Sequence, residues 1–401
     1  MTDLWDRLSS LSFRPAGKPV PQRDFKRILL VKPSSLGDVI HALPVLHGLR
    51  ARYPRAIISW LVATPYAPLI EHHPDLNHTI RFDRKRYGRM ARGIKPAGEF
   101  IKFLRSLRQQ RFDLVVDLQG LFRSGFLAWA TGAGTRMGFS AAREMAWMFY
   151  THRVPVEDRD MHAVDRNYRI GALLGFDDVP MQFNLGITDD DRTAASGLLR
   201  AAGVAWEMPF WTVWPGARWE TKRWPPDRFA AAIDMVQDRY GLPAVLMGDP
   251  GERSLCRQLA SATRSKPAVL AGRTGIREAA AVLERAAVVL THDSAPMHMA
   301  AALGRPLVAI LGPTNRNRTG PYGNASAVLQ ASLSCVPCYL KRLAQCPYDH
   351  RCMNDVEVGD VVARVGAARA QVGTNRGNSL QNGVSSPINA RSGADTASSR
   401  R

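Results

Sequence analysis

The stretch that decides the fold runs from Arg27 to Arg50 and reads RILLVKPSSLGDVIHALPVLHGLR. It opens with the short apolar run Ile28–Lys32, passes through a turn rich in small residues, and changes to helical spacing of apolar residues over Val39–Arg50. A continuous apolar strand followed by a turn and a helix is typical of a parallel sheet that is covered on both faces. The stretch therefore predicts an α/β protein.

The same alternation recurs along the chain. Further strands are predicted at Ile57–Val62, Leu114–Leu118, Trp211–Trp214, Ala244–Met247, Ala268–Ala271, Val288–Thr291 and Leu307–Leu311. Helices are predicted over Arg123–Ala130 and from near Asp227, Glu252, Ile276 and Pro296, and Thr64-Pro65 resembles a helix start. Because the pattern restarts in the second half, two doubly wound sheets in tandem fit better than one large sheet.

The pattern also predicts the domain organisation. An N-terminal arm covers residues 1–26, a first domain 27–185, a linker region 186–208 and a second domain 209–370. Residues 371–401 are rich in Gly, Ser, Asn and Arg, which predicts a disordered tail. In the arm, Leu4, Trp5, Leu8 and Leu11 share one helical face. The arm could lie on a membrane, cap the first domain or be mobile.

The composition points to an anionic partner. The 401 residues include 54 Lys and Arg against 35 Asp and Glu, which gives a net charge of +19. Nucleic acid, a phosphorylated substrate or an acidic membrane surface would each match this excess. No apolar run approaches the about 18 residues that span a bilayer, and residues 1–26 lack the apolar core of a secretory signal. We therefore expect a cytoplasmic protein.

Three turns that follow predicted strands carry the candidate chemistry, because ligands of doubly wound sheets bind beyond the carboxyl ends of strands. The first, Lys32–Asp38, joins small residues to a helix start, where Asp38 is either a capping acid or a functional one. The second holds the cations Lys222 and Arg223. The third, Thr291–Gly304, presents helix amides that could hold a diphosphate. Neither a Walker loop nor a dinucleotide fingerprint occurs.

Six motifs follow one another along the chain. They are Val31-Lys32-x-Ser34-Ser35-x-Gly37-Asp38, Asp117-x-Gln119-Gly120-Leu121, Pro215-Gly216-Ala217, Lys222-Arg223-Trp224-Pro225, Asp293-Ser294-x-Pro296-Met297-His298 and Gly312-Pro313-Thr314. Taken in order, these motifs resemble the lipopolysaccharide heptosyltransferases, glycosyltransferase family 9. The resemblance covers residues 27–365.

The resemblance implies a GT-B architecture, in which two Rossmann-like domains face each other across a cleft. The acceptor would bind the N-terminal domain and an ADP-sugar donor the C-terminal one, with inversion at the anomeric centre and without a metal or cofactor. Asp38 matches the general base. Donor binding would involve Lys222, Glu252, Asp293, Ser294, Ala295, Met297 and His298. Acceptor binding would involve Ser34, Ser35, Gly37, Gln119 and Arg123. Ala295 stands where the family more often has glycine.

The chemistry of sugar transfer agrees with these residue types. A sugar hydroxyl is a poor nucleophile, so a carboxylate must accept its proton as the glycosidic bond breaks. The leaving diphosphate gains charge that Lys222 and the helix amides of Ser294–His298 could stabilise. The acidic pair in Asp158-Arg159-Asp160 has the spacing of a metal chelate, but we interpret it as loop surface.

Two clusters remain open. Cys335 and Cys338 have metal-ligand spacing, but Cys346 and Cys352 are separated by five residues, so both a structural metal and reduced thiols are possible. The basic run Arg81–Arg111 could hold an anionic acceptor at the membrane or form a solvated helix face. It lacks the interleaved aromatic residues of a nucleic-acid platform, so nucleic acid is not expected.

The favoured interpretation is a heptosyltransferase in contact with the anionic inner leaflet, whose acceptor sugar is Kdo or a first heptose. The alternatives are a relative that uses another nucleotide sugar or acceptor, and a non-catalytic basic module that binds lipid or nucleic acid.

Overall fold

The computed structural model describes residue 20 and residues 23–88, 93–156, 158 and 160–381. Most of the predicted N-terminal arm and residues 382–401 of the predicted tail therefore lie outside the described residues. Within them the chain folds as two parallel six-stranded sheets flanked by helices, as the sequence predicts.

The first sheet has the strand order β3-β2-β1-β4-β5-β6. Its strands are β1 Arg27–Val31, β2 Ile57–Ala63, β3 His78–Phe82, β4 Leu114–Asp117, β5 Thr135–Phe139 and β6 His152–Val154. The helices of this half are α1 Leu36–Ile40, α2 Leu43–Arg52, α3 Arg84–Tyr87, α4 Ile94–Gln109, α5 Phe122–Ala130, α6 Ala163–Tyr168 and α7 Gly171–Leu174, with 3-10 helices at Thr64–Leu69 and Ala146–Phe149.

The second sheet has the order β12-β11-β10-β7-β8-β9. Its strands are β7 Trp211–Val213, β8 Ala244–Leu246, β9 Ala268–Val269, β10 Val288–His292, β11 Leu307–Ile310 and β12 Val328–Leu329. The helices are α8 Asp189–Ala201, α9 Pro226–Tyr240, α10 Arg253–Ala262, α11 Ile276–Arg285, α12 Ala295–Ala302, α13 Arg316–Thr319, α14 Arg351–Asn354 and α15 Val358–Gln381. Short 3-10 helices lie at Glu220–Lys222, Pro250–Glu252, Ala325–Ala327 and Leu343–Gln345.

Strand order places the candidate turns side by side. In the first sheet the order reverses between β1 and β4, and Val31 pairs with Asp117 at their carboxyl ends. In the second sheet β7 and β10 are neighbours in the same way, with Val213 opposite Leu290. A reversal of strand order opens a crevice at the sheet edge. The turns after β1 and β4 therefore share one crevice, and those after β7 and β10 share another.

The two halves pack against each other. Buried apolar residues of both sheets and their helices form one continuous cluster, in which Trp60 and Met297 are both fully buried. The guanidinium of Arg277 on α11 forms an ion pair with Asp191 on α8 and donates from Nη1 to the Pro68 carbonyl at 3.0 Å. The shared core brings the two crevices together.

The structure differs from the sequence predictions chiefly at the edges of the two sheets. The strands β3, β5, β6 and β12 were not predicted, because they lie at or near the sheet edges and are short or carry polar residues that break the apolar pattern. Thr64 is not a cap residue, since it lies inside a 3-10 helix that follows Ala63. The linker region contains α8, which Thr188 caps by accepting from Asp191 N–H.

The last helix overlaps the start of the predicted tail. α15 continues through Gln381, although disorder was predicted from residue 371. A helix that is already nucleated extends at little cost, because each added residue contributes one hydrogen bond. In the described part of the chain, each helix is too short or too polar to cross a bilayer.

Candidate active site

The turn after β1 holds Asp38 in a defined position. Ser35 precedes α1 as its N-cap, and its backbone N–H and hydroxyl both donate to Asp38 Oδ2, at 2.7 and 2.8 Å. This is the reciprocal capping arrangement, so the capping role considered for Asp38 is present. The side chain is nevertheless 36% exposed, and its other oxygen, Oδ1, lies 3.4 Å from Lys32 Nζ.

Lys32 sets the charge state of this turn. Its side chain is 2% exposed, and Nζ donates to the Leu118 carbonyl at 2.9 Å. Burial alone would raise the pKa of Asp38, but the Lys32 ammonium and the two Ser35 donors outweigh it and lower that pKa. Burial lowers the pKa of Lys32, and Asp38 opposes that shift. Asp38 is therefore an ionised carboxylate at neutral pH.

The turn after β4 supports the first one. Gln119 Oε1 accepts from Ser34 N–H at 3.3 Å, which brings two predicted acceptor residues together. Asp117 is fully buried and accepts from Gln119 N–H at 2.8 Å and from the Tyr150 hydroxyl at 2.7 Å. Burial raises the pKa of Asp117. Tyr150 was not predicted, because it is distant in sequence and its partner appears only in the fold.

Arg166, which the sequence did not single out, lies within electrostatic range of Asp38 and of two further arginines. Arg166 on α6 acts electrostatically on Asp38, and its buried Nε has no hydrogen-bond partner among the described atoms. Arg143 and Arg318 lie close enough to Arg166 to lower its pKa, after the larger effect of burial. The predicted Arg123 is exposed on α5, and within the described part of the chain it makes no hydrogen bond or ion pair with the first turn.

On the other side of the cleft, Lys222 lies beyond the carboxyl ends of β7 and β10. Its Nζ forms an ion pair with Asp293 Oδ2 at 2.7 Å and donates to the Asp293 carbonyl at 3.2 Å. The Thr314 hydroxyl donates to the same Oδ2 at 2.6 Å. The ammonium also lies 4.4 Å from the centre of the Trp219 ring. Asp293 thus orients Lys222, and both side chains are mostly buried.

The turn after β10 starts α12. Ser294 is its N-cap, Ala295 is the first helical residue, and both are partly exposed. The first-turn amides of a helix have no intrahelical partners and favour an anion. The Met297 side chain is fully buried in the core, so a donor contact of this predicted residue would have to use its backbone. It lies on the inward face of the helix, where the surrounding core residues enclose it completely.

Glu252 lies against the turn after β7. Its carboxylate packs so closely on Gly216 that a Cβ there would be 1.7 Å from Oε1. Oε2 accepts from Asp249 N–H at 3.0 Å. Burial raises the pKa of Glu252, and its backbone hydrogen bond partly opposes the shift. Gly216 is thus required by the close approach of this acid to the crevice.

A pair of histidines joins the two halves. His41 Nε2 and His298 Nδ1 are 2.9 Å apart, and the His298 ring lies against Gly37, where a Cβ would be 2.5 Å from Cδ2. His162 stacks edge-on against His41, with ring centres 5.3 Å apart. Burial lowers the pKa of His298 to about 4 and that of His41 well below its usual value. His298 is therefore a neutral hydrogen-bonding group, within electrostatic range of both Asp38 and Asp293.

The acidic pair and the cysteine cluster are the remaining candidates from the sequence. Asp158 and Asp160 are exposed, and Asn315 donates to Asp160 at 3.1 Å. The pKa of Cys352 is raised to about 11 by burial and by the nearby Cys338, Cys346 and Cys335. All five cysteines are free thiols, and among the described residues no His, Cys, Asp or Glu group has the geometry of a metal site.

Comparison with known proteins agrees with this geometry. Residues 100–349 match glycosyltransferase family 9 (heptosyltransferase). The lipopolysaccharide heptosyltransferase 1 of Pseudomonas aeruginosa is 30% identical over 79% of this chain and 86% of its own length. The chain belongs to glycosyltransferase family 9. It is therefore a glycosyltransferase, and the alternative of a non-catalytic binding module is not supported.

Solved structures of the family share the whole fold. A family 9 glycosyltransferase of Veillonella parvula superposes with a TM-score of 0.74 at 23% identity, over 87% of this chain and 99% of that one. The ADP-heptose lipopolysaccharide heptosyltransferase II of Escherichia coli gives 0.69 at 25% identity, over 86% and 99%. The predicted GT-B architecture is confirmed.

Proposed function

We propose that this family 9 glycosyltransferase transfers heptose from ADP-L-glycero-D-manno-heptose to the inner core, Kdo or heptose, of a lipopolysaccharide precursor, with inversion. The proposal rests on one observation above all: His298, in the first turns of α12, lies against Gly37 of the Asp38 turn and against His41, which follows α1. The candidate base and the candidate diphosphate site therefore face one shared space. The names of the P. aeruginosa and E. coli relatives supply the substrate class.

Asp38 would accept the proton of the attacking hydroxyl. Its partly exposed, ionised carboxylate borders the crevice, and Ser35 and Lys32 hold both of its oxygens in place. A carboxylate with a low pKa is a weak base, so proton transfer becomes favourable only after the hydroxyl oxygen has begun to bond to the anomeric carbon. Late transfer of this kind suits a reaction in which the leaving group departs early.

Lys222 and the first turn of α12 would stabilise the leaving diphosphate. The ammonium is held by Asp293 beside Trp219, so little side-chain freedom is lost when a phosphate approaches. Ser294 and Ala295 contribute backbone amides, and Glu252 would accept from a ribose hydroxyl. Neutral His298 would donate or accept a hydrogen bond without adding charge.

The acceptor would bind over Ser34, Ser35, Gly37 and Gln119, with Arg166, Arg143 and Arg318 attracting its anionic groups. Such an acceptor is anchored in the cytoplasmic leaflet of the inner membrane. We therefore place the enzyme in the cytoplasm, in peripheral contact with that anionic surface.

A direct transfer assay tests the proposal. The purified enzyme is incubated with ADP-heptose, and separately with UDP-hexoses, together with a Kdo-terminated or a heptose-terminated acceptor. Product mass and the anomeric configuration by NMR are measured, with and without excess EDTA. We expect heptose transfer from ADP-heptose with inverted configuration. Transfer from a UDP-hexose alone would support the relative with another donor and contradict the proposal.

A further inference from the structure

Exposed large apolar side chains gather on one face of the N-terminal domain. Phe122 and Trp129 on α5 are 50% and 53% exposed, and Met145, Trp147 and Met148, in and beside the 3-10 helix Ala146–Phe149, are 57%, 38% and 52% exposed. These five residues form what we call the aromatic patch. Single exposed apolar residues are ordinary, whereas a contiguous group marks an interaction surface.

The patch is one surface because its two elements pack together. Phe122 and Phe149 have ring centres 5.2 Å apart, and Phe126 and Phe149 6.2 Å apart. Gly125 permits this approach, since a Cβ there would lie 2.7 Å from the Phe149 ring. Phe122, Phe126 and Trp129 share one helical face by their spacing. The phenylalanines between the two elements fix the patch to the fold.

Exposed cations border the patch. α4 lies beside α5, with Phe100 stacked on Phe126 at 6.4 Å, and the guanidinium of Arg153 lies 4.9 Å over the Trp147 ring. The exposed Lys and Arg of α4, α5 and the segment that follows are Lys95, Lys102, Arg105, Arg108, Arg123, Arg143 and Arg153. The acids of the same segments are Glu99, which is paired with Arg86, and Glu144. The partner of this face must therefore be both apolar and anionic.

The patch also adjoins the turn after β4, which we call the acceptor turn because it holds the predicted acceptor residue Gln119. Phe122 follows Leu121 directly, and Arg143 N–H donates to the Gly120 carbonyl at 2.9 Å. A surface that bound the patch would lie next to Gln119 and the Asp38 crevice. A second copy of the chain fits poorly, because a two-fold contact would bring these cations face to face.

We propose that the aromatic patch and its bordering cations dock the enzyme on an anionic phospholipid surface. Trp and Met would insert at the headgroup level while Lys and Arg contact lipid phosphates, the usual arrangement of an interfacial protein surface. The docked domain presents its acceptor turn to the bilayer. Vesicle binding itself is independent of the proposed heptose transfer, and only its purpose rests on that function.

The test compares three double variants in a vesicle co-sedimentation assay. Trp129→Ser with Met148→Ser removes apolar contacts, and Lys102→Glu with Arg105→Glu reverses charge. Met208→Ser with Met235→Ser is the control, because both methionines are exposed, at 60% and 43%, but lie outside the patch. Vesicles contain either phosphatidylcholine alone or phosphatidylcholine with phosphatidylglycerol. Transfer is measured with a water-soluble, deacylated acceptor and with the same acceptor anchored in vesicles.

We expect each patch variant to bind phosphatidylglycerol vesicles at least about tenfold more weakly than the wild type, and the control within about twofold. Turnover of the soluble acceptor should be unchanged, while turnover of the vesicle-bound acceptor falls. The proposal would be overturned if the patch variants bound vesicles as tightly as the wild type, or if the control variant lost vesicle binding to the same extent as they do. So would a change from dimer to monomer by sedimentation without any change in vesicle binding. If the wild-type enzyme transfers no heptose but the patch variants still lose vesicle binding, only the proposed function is refuted.

Discussion

Replacing Lys222 by methionine separates its two roles in the structure. The side chain is 14% exposed, and its partner Asp293 is 4% exposed, so the substitution leaves a buried carboxylate without its cation. Loss of one member of a buried pair costs about 3–5 kcal/mol. Because Thr314 still donates to Asp293, we expect the lower part of this range in the free energy of unfolding of the variant.

The same substitution should weaken donor binding. A charge-assisted hydrogen bond to phosphate contributes about 1.5–3 kcal/mol, so the donor dissociation constant should rise roughly tenfold to a hundredfold. Acceptor binding should change little. Donor binding is measured by calorimetry with ADP, and stability by urea unfolding followed by circular dichroism.

The double variant Lys222→Met with Asp293→Asn distinguishes the two effects. It leaves no uncompensated charge, so most of the lost stability should return, whereas the donor constant should stay raised. Recovery of donor affinity in the double variant would refute the reasoning, since Lys222 would then act only as the counterion of Asp293. Unchanged donor affinity in the single variant would likewise show that Lys222 does not bind the donor.

Further predictions concern the cleft and the loss of folding stability at acid pH. Gly37→Ala should lower kcat/KM by at least about tenfold, because its Cβ would lie 2.5 Å from the His298 ring and force the crevices apart. Gly98→Ala, whose Cβ meets nothing within 4 Å, is the matched control and should stay near wild-type activity. Glu252→Gln should raise the donor KM with little effect on kcat, as measured by initial rates; an unchanged KM would remove Glu252 from the donor site. The pKa of Asp191 falls from 3.8 to about 2, because the hydrogen bonds from Arg277 and Thr188 outweigh burial, so its stabilisation is present above about pH 4 and lost as the pH falls towards 2. Asp191→Asn should flatten that part of the stability profile in urea unfolding at a series of pH values, and an unaltered slope would contradict it.

Features local in sequence were the predictable ones. The turns of Asp38, Lys222 and Ser294 follow buried strands, so strand order alone brings them to the sheet edges. The burial of the Met297 side chain was not predictable, because a motif places a residue in sequence, whereas the phase of α12 decides which side chains face the core.

Contacts between residues distant in sequence could not be predicted. His41 and Tyr150 acquire their roles from partners that are distant in sequence, His298 and Asp117. Gly37 shows a similar limit: its motif identifies a small residue, but only the packed domains show that the His298 ring requires it. The exposed patch on α5 is likewise not predictable from the sequence, because the exposure of Trp129 depends on which neighbours cover it.

Single-turnover transfer by Asp38→Asn tests the central claim most directly. Asparagine retains an oxygen that can accept from Ser35 and keeps the shape of the turn, but it cannot accept the proton of the attacking hydroxyl. With ADP-heptose and the inner-core acceptor at saturation, we expect the transfer rate to fall by about 10²–10⁴ while donor affinity by calorimetry hardly changes. A folded Asp38→Asn enzyme that keeps more than roughly a tenth of the wild-type rate would contradict the claim and leave Asp38 with its capping role alone.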